Sequence, residues 1–127
     1  MQGNRARDTA PELKLRRLLR EAGYPGYRLH WKKVPGHPDI VYPGRKIAIF
    51  VNGCFWHRCP HCNPATPKSN TAFWEAKFEA NRERDARKTR QLEAMDWVVV
   101  TVWECEIRQL DSLEGTTLLS ALAGRRP

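Results

Sequence analysis

The sequence lacks any apolar stretch long enough to cross a membrane. Its longest apolar run lies around residues 46–51 and is far shorter than the roughly 20 residues that a spanning helix needs. The chain also opens without a secretory signal peptide, because residues 1–7 form a short basic arm. These features exclude membrane and secreted proteins, and we expect an intracellular, cytoplasmic protein.

Acidic residues are scarce relative to basic ones. The chain has 14 Asp and Glu against 22 Lys and Arg, a net charge of +8. Hydrophobic residues make up 41%, which is too many for a disordered polyelectrolyte. Because the chain is basic and has five tryptophans, nucleic acid is its leading partner class. A basic surface that serves only solubility is the alternative.

Internal repeats and linkers are also absent, and 127 residues predict one domain with a modest core. Thr9-Ala10-Pro11-Glu12 has capping-box spacing and predicts a helix start. The element order is α-β-β-β-α-β-α, which indicates a single α/β domain. The predicted elements are a helix from residue 9 to Gly23, strands at 27–34, 39–42 and 46–51, a helix from 70 or 71 to 94, a strand at 97–103 and a weak helix at 112–123.

Three of the four cysteines lie in residues 52–70, a loop without periodic pattern. Cys54, Cys59 and Cys62 form C-x4-C-x2-C, and Cys105 follows the last strand. A strand-helix-strand crossover makes the strands before Cys54 and Cys105 parallel, so their carboxyl ends meet at one sheet edge. The spacing therefore predicts a tetrahedral zinc site, structural in role because four protein ligands leave no open position.

Other assignments of these thiols stay open. His57 or His61 offers an alternative ligand in place of a cysteine. Two disulfides are a competing interpretation, which an intracellular setting disfavours. Four unrelated buried thiols are the remaining alternative.

Two acidic residues fall on the inward faces of predicted helices. Glu12 lies on the leucine stripe of the first helix, although it also fits the second half of the capping box. Asp85 shares the inner face of the long helix, where a buried acid needs a partner such as a histidine of the cysteine loop. An ion pair with Arg82 or Lys88 explains Asp85 equally well.

Asp39 lies in Gly36-His37-Pro38-Asp39, at the start of a short strand after a turn. This position fits the PD-(D/E)xK pattern of metal-dependent nucleases, in which acids hold Mg²⁺ against the scissile phosphate. The acid-x-lysine expected on the next strand is missing, because that strand ends Phe50-Val51-Asn52-Gly53.

Six short motifs follow one another along the chain. They are Arg7-Asp8-Thr9-Ala10-Pro11-Glu12, Pro38-Asp39, Gly53-Cys54-Phe55-Trp56-His57, Phe73-Trp74, Arg84-Asp85 and Val102-Trp103-Glu104-Cys105. Together they resemble the very-short-patch repair (Vsr) DNA mismatch endonucleases. The resemblance covers about residues 5–108, with the motifs in family order, and it implies a restriction-endonuclease-like mixed sheet flanked by helices.

The resemblance implies a Mg²⁺-dependent nick on the 5′ side of a thymine mispaired with guanine, which arises when 5-methylcytosine deaminates. It assigns Mg²⁺ binding to the Asp39 carboxylate and the Val51 carbonyl, which explains the missing acid. His57 takes the place of the lysine and is held by Asp85, while Glu12 supports the water molecule on the metal ion.

The resemblance also assigns Phe55, Trp56 and Trp74 to an aromatic wedge beside the mispair. A mismatched step costs less to unstack, so a wedge can discriminate it. Asn52 is included among the active-site residues, although many family members have a second histidine there. At Cys59 some members use histidine as zinc ligand, and the arm before Asp8 is shorter than the family's N-terminal segment.

Three functions are therefore in competition. The first is a mismatch-directed nicking endonuclease, a monomer acting on double-stranded, mispaired DNA at the bacterial nucleoid. The second is a nickase of a restriction or phage-defence system, targeted by a partner such as a repair or restriction-modification protein. The third is a DNA-binding module held together by zinc and without catalysis, which Asn52 favours.

Overall fold

A computed structural model of the chain describes residues 9–62 and 64–125, without the side chain of Trp56. The predicted basic arm at residues 1–7 lies outside this range. The elements in chain order are α1 (Ala10–Glu21), β1 (Arg28–Leu29), β2 (Ile40–Tyr42), β3 (Ile47–Asn52), α2 (Cys54–His57), α3 (Thr71–Ala94), β4 (Val98–Trp103), α4 (Glu104–Gln109) and α5 (Thr117–Gly124).

The four described strands form one mixed sheet in the order β1-β2-β3-β4. β1 pairs antiparallel with β2, and β2 pairs antiparallel with β3. β3 and β4 run parallel, in register from Ile47 opposite Val98 to Asn52 opposite Trp103. The predicted crossover is confirmed, and the residues that follow β3 and β4 meet at one edge of the sheet.

Helix α1 covers one face of the sheet. Its first turn is capped by Thr9, whose hydroxyl accepts a hydrogen bond from the Glu12 amide at 3.4 Å. Leu15, Leu18 and Leu19 are almost fully buried, as their helical spacing predicts. They pack against inward-facing residues of β2, β3 and β4 and against α4 and α5. The N-terminal end of α1 is thereby fixed over the sheet.

Helix α3 covers the opposite face, but only with its C-terminal part. Leu92 is buried in a second cluster with Val41, Ala48, Phe50 and Trp97. Near its other end α3 turns Phe78 toward α2. In the described part of the chain, no helix, α3 included, has the length and apolar character required to span a bilayer.

The predicted strand at residues 27–34 is confirmed only near its start, because β1 is Arg28–Leu29 and regular pairing stops at Leu29. His30 has a φ of 48°, a left-handed conformation that interrupts the extended backbone of a strand. Two backbone bonds nevertheless continue the hairpin, from the His30 amide to the Asp39 carbonyl and from the Trp31 amide to the Pro38 carbonyl.

Short helices account for the other differences from the prediction. The loop at 52–70 contains α2, and Cys105, which follows the last strand as predicted, lies inside a further short helix, α4. The predicted helix at 112–123 begins later, at Thr117, because Gly115 has a φ of 77° and Thr116 caps the Leu119 amide. Helices of four and six residues are too short to give a periodic signal.

The packing of α1 generates a stability prediction. Leu19→Ala should lower the free energy of unfolding by about 2–5 kcal/mol, since Leu19 is 0% exposed and its truncation leaves a cavity. Leu13→Ala on the same helix is the matched control, because Leu13 is 50% exposed. Leu13→Ala should lower the free energy of unfolding by less than about 0.5 kcal/mol. Denaturant titration measures both, and equal costs would contradict this orientation of α1.

Candidate active site

The four cysteines come together at the edge where β3 and β4 end. Their sulfur atoms all lie within 4.8 Å of one another, and the Sγ atoms of Cys59 and Cys105 are 3.6 Å apart. Cys54 opens α2 directly after β3, and Cys105 lies in α4 directly after β4. All four thiols are free. The cluster therefore has the donor set of a tetrahedral site for a soft metal ion.

Histidine does not replace a thiol in this group. The four mutually close ligand atoms are all sulfur, and the His61 ring is 55% exposed, with Nε2 3.6 Å from Glu106 Oε2. His61 contributes its backbone amide instead, which donates to Cys59 Sγ at 3.3 Å. Of the alternatives that the spacing left open, the geometry favours four cysteines.

The thiols differ in how readily they ionise. Desolvation acts to raise the pKa of Cys59, but hydrogen bonds from the Cys62 and His61 amides and from the Cys105 and Cys62 thiols outweigh it, so that this pKa is lowered. Desolvation, and then hydrogen bonds with Cys59 and Cys54, raises the pKa of the Cys105 thiol to about 12. The pKa of Cys62 is raised for the same reasons. A cation at the centre reverses this, because it stabilises thiolates outright.

A second cluster lies at the start of β2. Carboxylate oxygens of Glu12 and Asp39 and a ring nitrogen of His30 all lie within 4.8 Å of one another. The Val51 amide donates to Asp39 Oδ2 at 2.8 Å, which places the Val51 main chain beside this carboxylate. Arg16 donates to Glu12 Oε1 at 3.3 Å. The cluster thus joins α1 to β2 and β3.

Asp39 titrates far from the ordinary range of aspartate. Burial raises its pKa to about 6, against the hydrogen bond from the Val51 amide, which lowers it. The negative charge of Glu12 raises the pKa further, and the charges of Lys88 and His30 lower it. A carboxylate in such surroundings gains more from a bound cation than an exposed one does.

His30 is a member of this cluster that the sequence reasoning missed. The register of the hairpin indicates its position. Leu29 pairs with Ile40, so His30, the residue after Leu29, lies opposite Asp39. Its amide donates to the Asp39 carbonyl at 3.0 Å. Without the register, a histidine inside a predicted strand carries no such indication.

His57 and Asp85 form a pair that joins α2 to α3. The His57 Nδ1 lies 2.6 Å from Asp85 Oδ2, and both side chains are 25% exposed. Lys88 Nζ lies 3.3 Å from the other oxygen, Oδ1. Two of the partners proposed for Asp85 are therefore present at once. The third, Arg82, pairs with Glu79 at 2.6 Å.

Asn52 is the last residue of β3, opposite Trp103 of β4, and its side chain is 7% exposed. It lies between Val51, beside the carboxylate cluster, and Cys54, in the thiol cluster. The structure thus places this predicted residue at the junction of the two groups and assigns it no chemical role.

Phe55 and Trp74 belong to an aromatic cluster between α2 and α3. Their ring centroids are 5.6 Å apart, and Phe78 lies 5.3 Å from Phe55 and stacks on Trp74 at 5.9 Å. Phe73, which is 56% exposed, extends the cluster to the surface. Arg58 lies 4.2 Å from the Phe78 ring. The predicted wedge residues Phe55 and Trp74 are therefore in contact with each other; the side chain of Trp56, the third, lies outside the described part.

The mixed sheet, with a carboxylate cluster on one side of β3 and a thiol cluster at its end, defines a restriction-endonuclease-like α/β domain. Residues 1–63 match the family described as DNA mismatch endonuclease Vsr. Over 117 residues the chain is 38% identical to DNA mismatch endonuclease Vsr of Escherichia coli, covering 91% of this chain and 74% of that protein. The chain belongs to the Vsr family of DNA endonucleases.

Other relatives have a different description. The Type II nicking enzyme V.XorIIP of Xanthomonas oryzae pv. oryzae is 47% identical over 114 residues, 90% of this chain and 83% of that protein. The Type II nicking enzyme V.NmeAIP of Neisseria meningitidis is 40% identical over 104 residues, covering 81% and 73% respectively. The similarity thus extends well beyond residue 63 and includes the second half of the site.

The raised pKa of Asp39 generates a prediction about stability. The folded state binds this proton more tightly than the unfolded state, so the free energy of unfolding falls as pH rises from about 4 to about 6. Asp39→Asn cannot ionise and escapes this loss. We therefore compare the free energy of unfolding of Asp39→Asn with that of the wild type, without added Mg²⁺. The difference in favour of the variant should be about 1–3 kcal/mol larger at pH 7.5 than at pH 4.5.

Denaturant titration at the two pH values measures this difference. Asp111→Asn is the control, because Asp111 is exposed and its replacement should leave the stability difference independent of pH. An Asp39→Asn advantage that does not grow with pH would contradict the dominance of burial at this carboxylate.

Proposed function

We propose that the protein nicks one strand of double-stranded DNA on the 5′ side of a thymine mispaired with guanine. The product is the entry point for repair of deaminated 5-methylcytosine. The observation that carries the proposal is the path of β3, which brings Val51 onto the Asp39 carboxylate and leads directly into α2, where His57 meets Asp85. Hard oxygen donors and an oriented imidazole are the parts that hydrolysis of a phosphodiester requires.

The residues around Asp39 fit a magnesium ion. The carboxylates of Asp39 and Glu12 are hard donors within 4.8 Å of each other, and the Val51 carbonyl is the further oxygen ligand that we assign. When bound, Mg²⁺ supplies a Lewis acid for the scissile phosphate. Arg16 holds the Glu12 carboxylate in place, so that Glu12 can orient the attacking water.

His57 is the group that we assign to proton transfer. An ionised Asp85 has no proton to give, so the 2.6 Å contact is a hydrogen bond donated by His57 Nδ1. With Nδ1 as the donor, Nε2 is the acceptor whenever the ring carries a single proton. His57 Nε2 takes or returns a proton at the phosphate, as the residue that replaces the lysine of related nucleases.

Recognition of the mispair is assigned to Phe55, Trp56 and Trp74. The cluster that contains Phe55 and Trp74 begins two residues before His57 and reaches the surface at Phe73. Aromatic rings inserted beside a mispair replace stacking that the mismatched step holds only weakly. Asn52 supports the end of β3 between the metal ligands and this wedge.

The thiol cluster has a different task. We infer that Cys54, Cys59, Cys62 and Cys105 hold one structural Zn²⁺, because four soft donors converge there from the short helices α2 and α4 and from the loop that follows α2. The ion would fix the loop that contains His57 and Phe55. We further propose that the protein acts as a monomer in the bacterial cytoplasm, at the nucleoid.

A second function is favoured by the relatives. V.XorIIP and V.NmeAIP are described as Type II nicking enzymes. The same centre would then serve a restriction-modification or defence system, with partner proteins supplying the target. A DNA-binding module without catalysis is less well supported, because the proximity of Glu12 to Asp39 and the contact of His57 with Asp85 support the proposed catalytic centre.

The nicking activity is tested on two duplexes that differ only in one T:G or T:A pair. We expect a single-strand nick at the T:G pair with Mg²⁺, none with EDTA, and recovery when Mg²⁺ is restored. Asp39→Ala should reduce the rate by more than about a hundredfold without loss of DNA binding, since it removes a metal ligand. The exposed Asp111→Ala is the control. Equal nicking of both duplexes would exclude mispair recognition, and no nicking of either would leave the non-catalytic function.

The zinc assignment is tested by metal analysis. We expect about one zinc ion per chain and its loss in Cys62→Ser, together with a lower melting temperature. Because Cys62 is exposed, this substitution removes a ligand without creating a core cavity. His61→Ala is the matched control and should keep the ion. Zinc retained in Cys62→Ser but lost in His61→Ala would make the histidine the ligand, and a folded zinc-free protein would refute the site.

A further inference from the structure

Lys88 lies between the His57–Asp85 pair and the carboxylate cluster that contains Asp39. Its Nζ atom is 3.3 Å from Asp85 Oδ1, while Asp85 Oδ2 binds His57. Only 19% of the Lys88 side chain is exposed. Arg82, which makes the same i,i+3 type of pair with Glu79 on the same helix, is 55% exposed. The Lys88 side chain is therefore largely shielded from solvent, unlike the side chains of an ordinary ion pair on a helix surface.

The surroundings of Lys88 restrict its side chain. Nζ lies 4.2 Å from the centroid of the Phe50 ring on β3, a cation–π contact that gains strength when partly desolvated. Gly36, with a φ of 82°, lies against the stem, and a Cβ there would come within 2.9 Å of the Lys88 Cβ and Cδ atoms. Lys88 is thus clamped between β3 and the turn that precedes Asp39.

This placement brings a positive charge to a strand that has none of its own. The residues that end β3 are Phe50, Val51 and Asn52, so the lysine of the acid-x-lysine pattern is absent there. The Lys88 charge also acts on Asp39, the proposed metal ligand. It is one of the influences that lower the pKa of Asp39, whereas burial raises that pKa.

We propose that Lys88 is a positioning residue for nicking: its ammonium group fixes the Asp85 carboxylate, and Asp85 in turn orients the His57 ring. A carboxylate held through one oxygen can rotate, because terminal carboxylate torsions are broad. Binding of the second oxygen by Lys88 removes that freedom. The inference rests on the proposed nicking function.

The test compares K88M, which keeps the length of the side chain and removes its charge, with K88R and the control R82M. Nicking rates are measured at saturating T:G duplex, and duplex affinity separately. K88M should lower the saturating rate about tenfold, because small misplacements of a reacting group cost at least that much. Its duplex affinity should change less than about twofold. K88R should recover at least a third of the rate, and R82M should stay within twofold of the wild type.

Three results would overturn the inference: equal losses in K88M and K88R, an equal loss in R82M, or a K88M defect confined to DNA affinity, which would make Lys88 a phosphate contact. Zinc content and melting temperature verify that each variant folds. If K88M fails this check, K88Q replaces it.

A double-mutant cycle tests the route through Asp85. If Lys88 acts through that carboxylate, K88M should change the rate of D85N less than about twofold, whereas independent residues give multiplicative losses. Multiplicative losses would overturn the inference. A wild-type chain that nicks no duplex overturns the proposed function and this inference with it. A wild-type chain that nicks, with K88M at an equal rate, overturns the inference alone.

Discussion

The parallel pairing of β3 with β4 is the constraint on which the rest of the site depends. Parallel neighbours cannot be joined by a tight turn, so the chain must leave the sheet after β3 and return through a crossover. Here the crossover contains α2, the cysteine loop and α3. The same pairing that requires this long connection also delivers Cys54 and Cys105 to one edge, where the connection can be anchored.

The site concentrates charge that a small core tolerates only when each group has a partner. Glu12 is 3% exposed and is bound by Arg16. Asp39 is bound by the Val51 amide, yet its pKa remains raised to about 6 because burial outweighs that hydrogen bond. Such a centre costs folding free energy, and the cation that we propose at Asp39 would offset that cost when bound. Strain of this kind is typical of functional sites in otherwise well-packed domains.

Most of the fold could be predicted from the sequence, because the elements that form the core have clear periodicity. The leucine stripe of α1 and the apolar runs of β3 and β4 gave correct elements to within a few residues. The two unpredicted helices have a common cause, since α2 and α4 are too short for a period to develop. The left-handed conformation of His30, which ends β1, leaves no mark in a side-chain pattern.

The site was predictable to a different degree. The approach of Cys54 to Cys105 could be predicted from topology alone, because it depends only on the direction of two strands. Asp85 was harder, because helical spacing cannot distinguish a histidine partner from a lysine partner. The structure contains both. The positions of His30 and Phe50 depend on strand register and on contacts between distant elements. A single sequence does not encode either of these locally.

The thiol cluster explains how so short a helix as α2 can hold His57, the residue that we propose for proton transfer, in a defined position. Four residues cannot form a stable helix alone, since nucleation is unfavourable. Cys54 begins α2, and Cys59 follows it by two residues. Both ends of the segment are therefore tied to the thiol cluster, and the Cys54 amide is further bound by Glu104 of α4 at 3.2 Å. His57 lies between these attachments and gains from Asp85 the second contact that fixes its ring. An ion held by the thiols would thus support nicking without touching DNA, through the backbone that carries His57 to the end of β3.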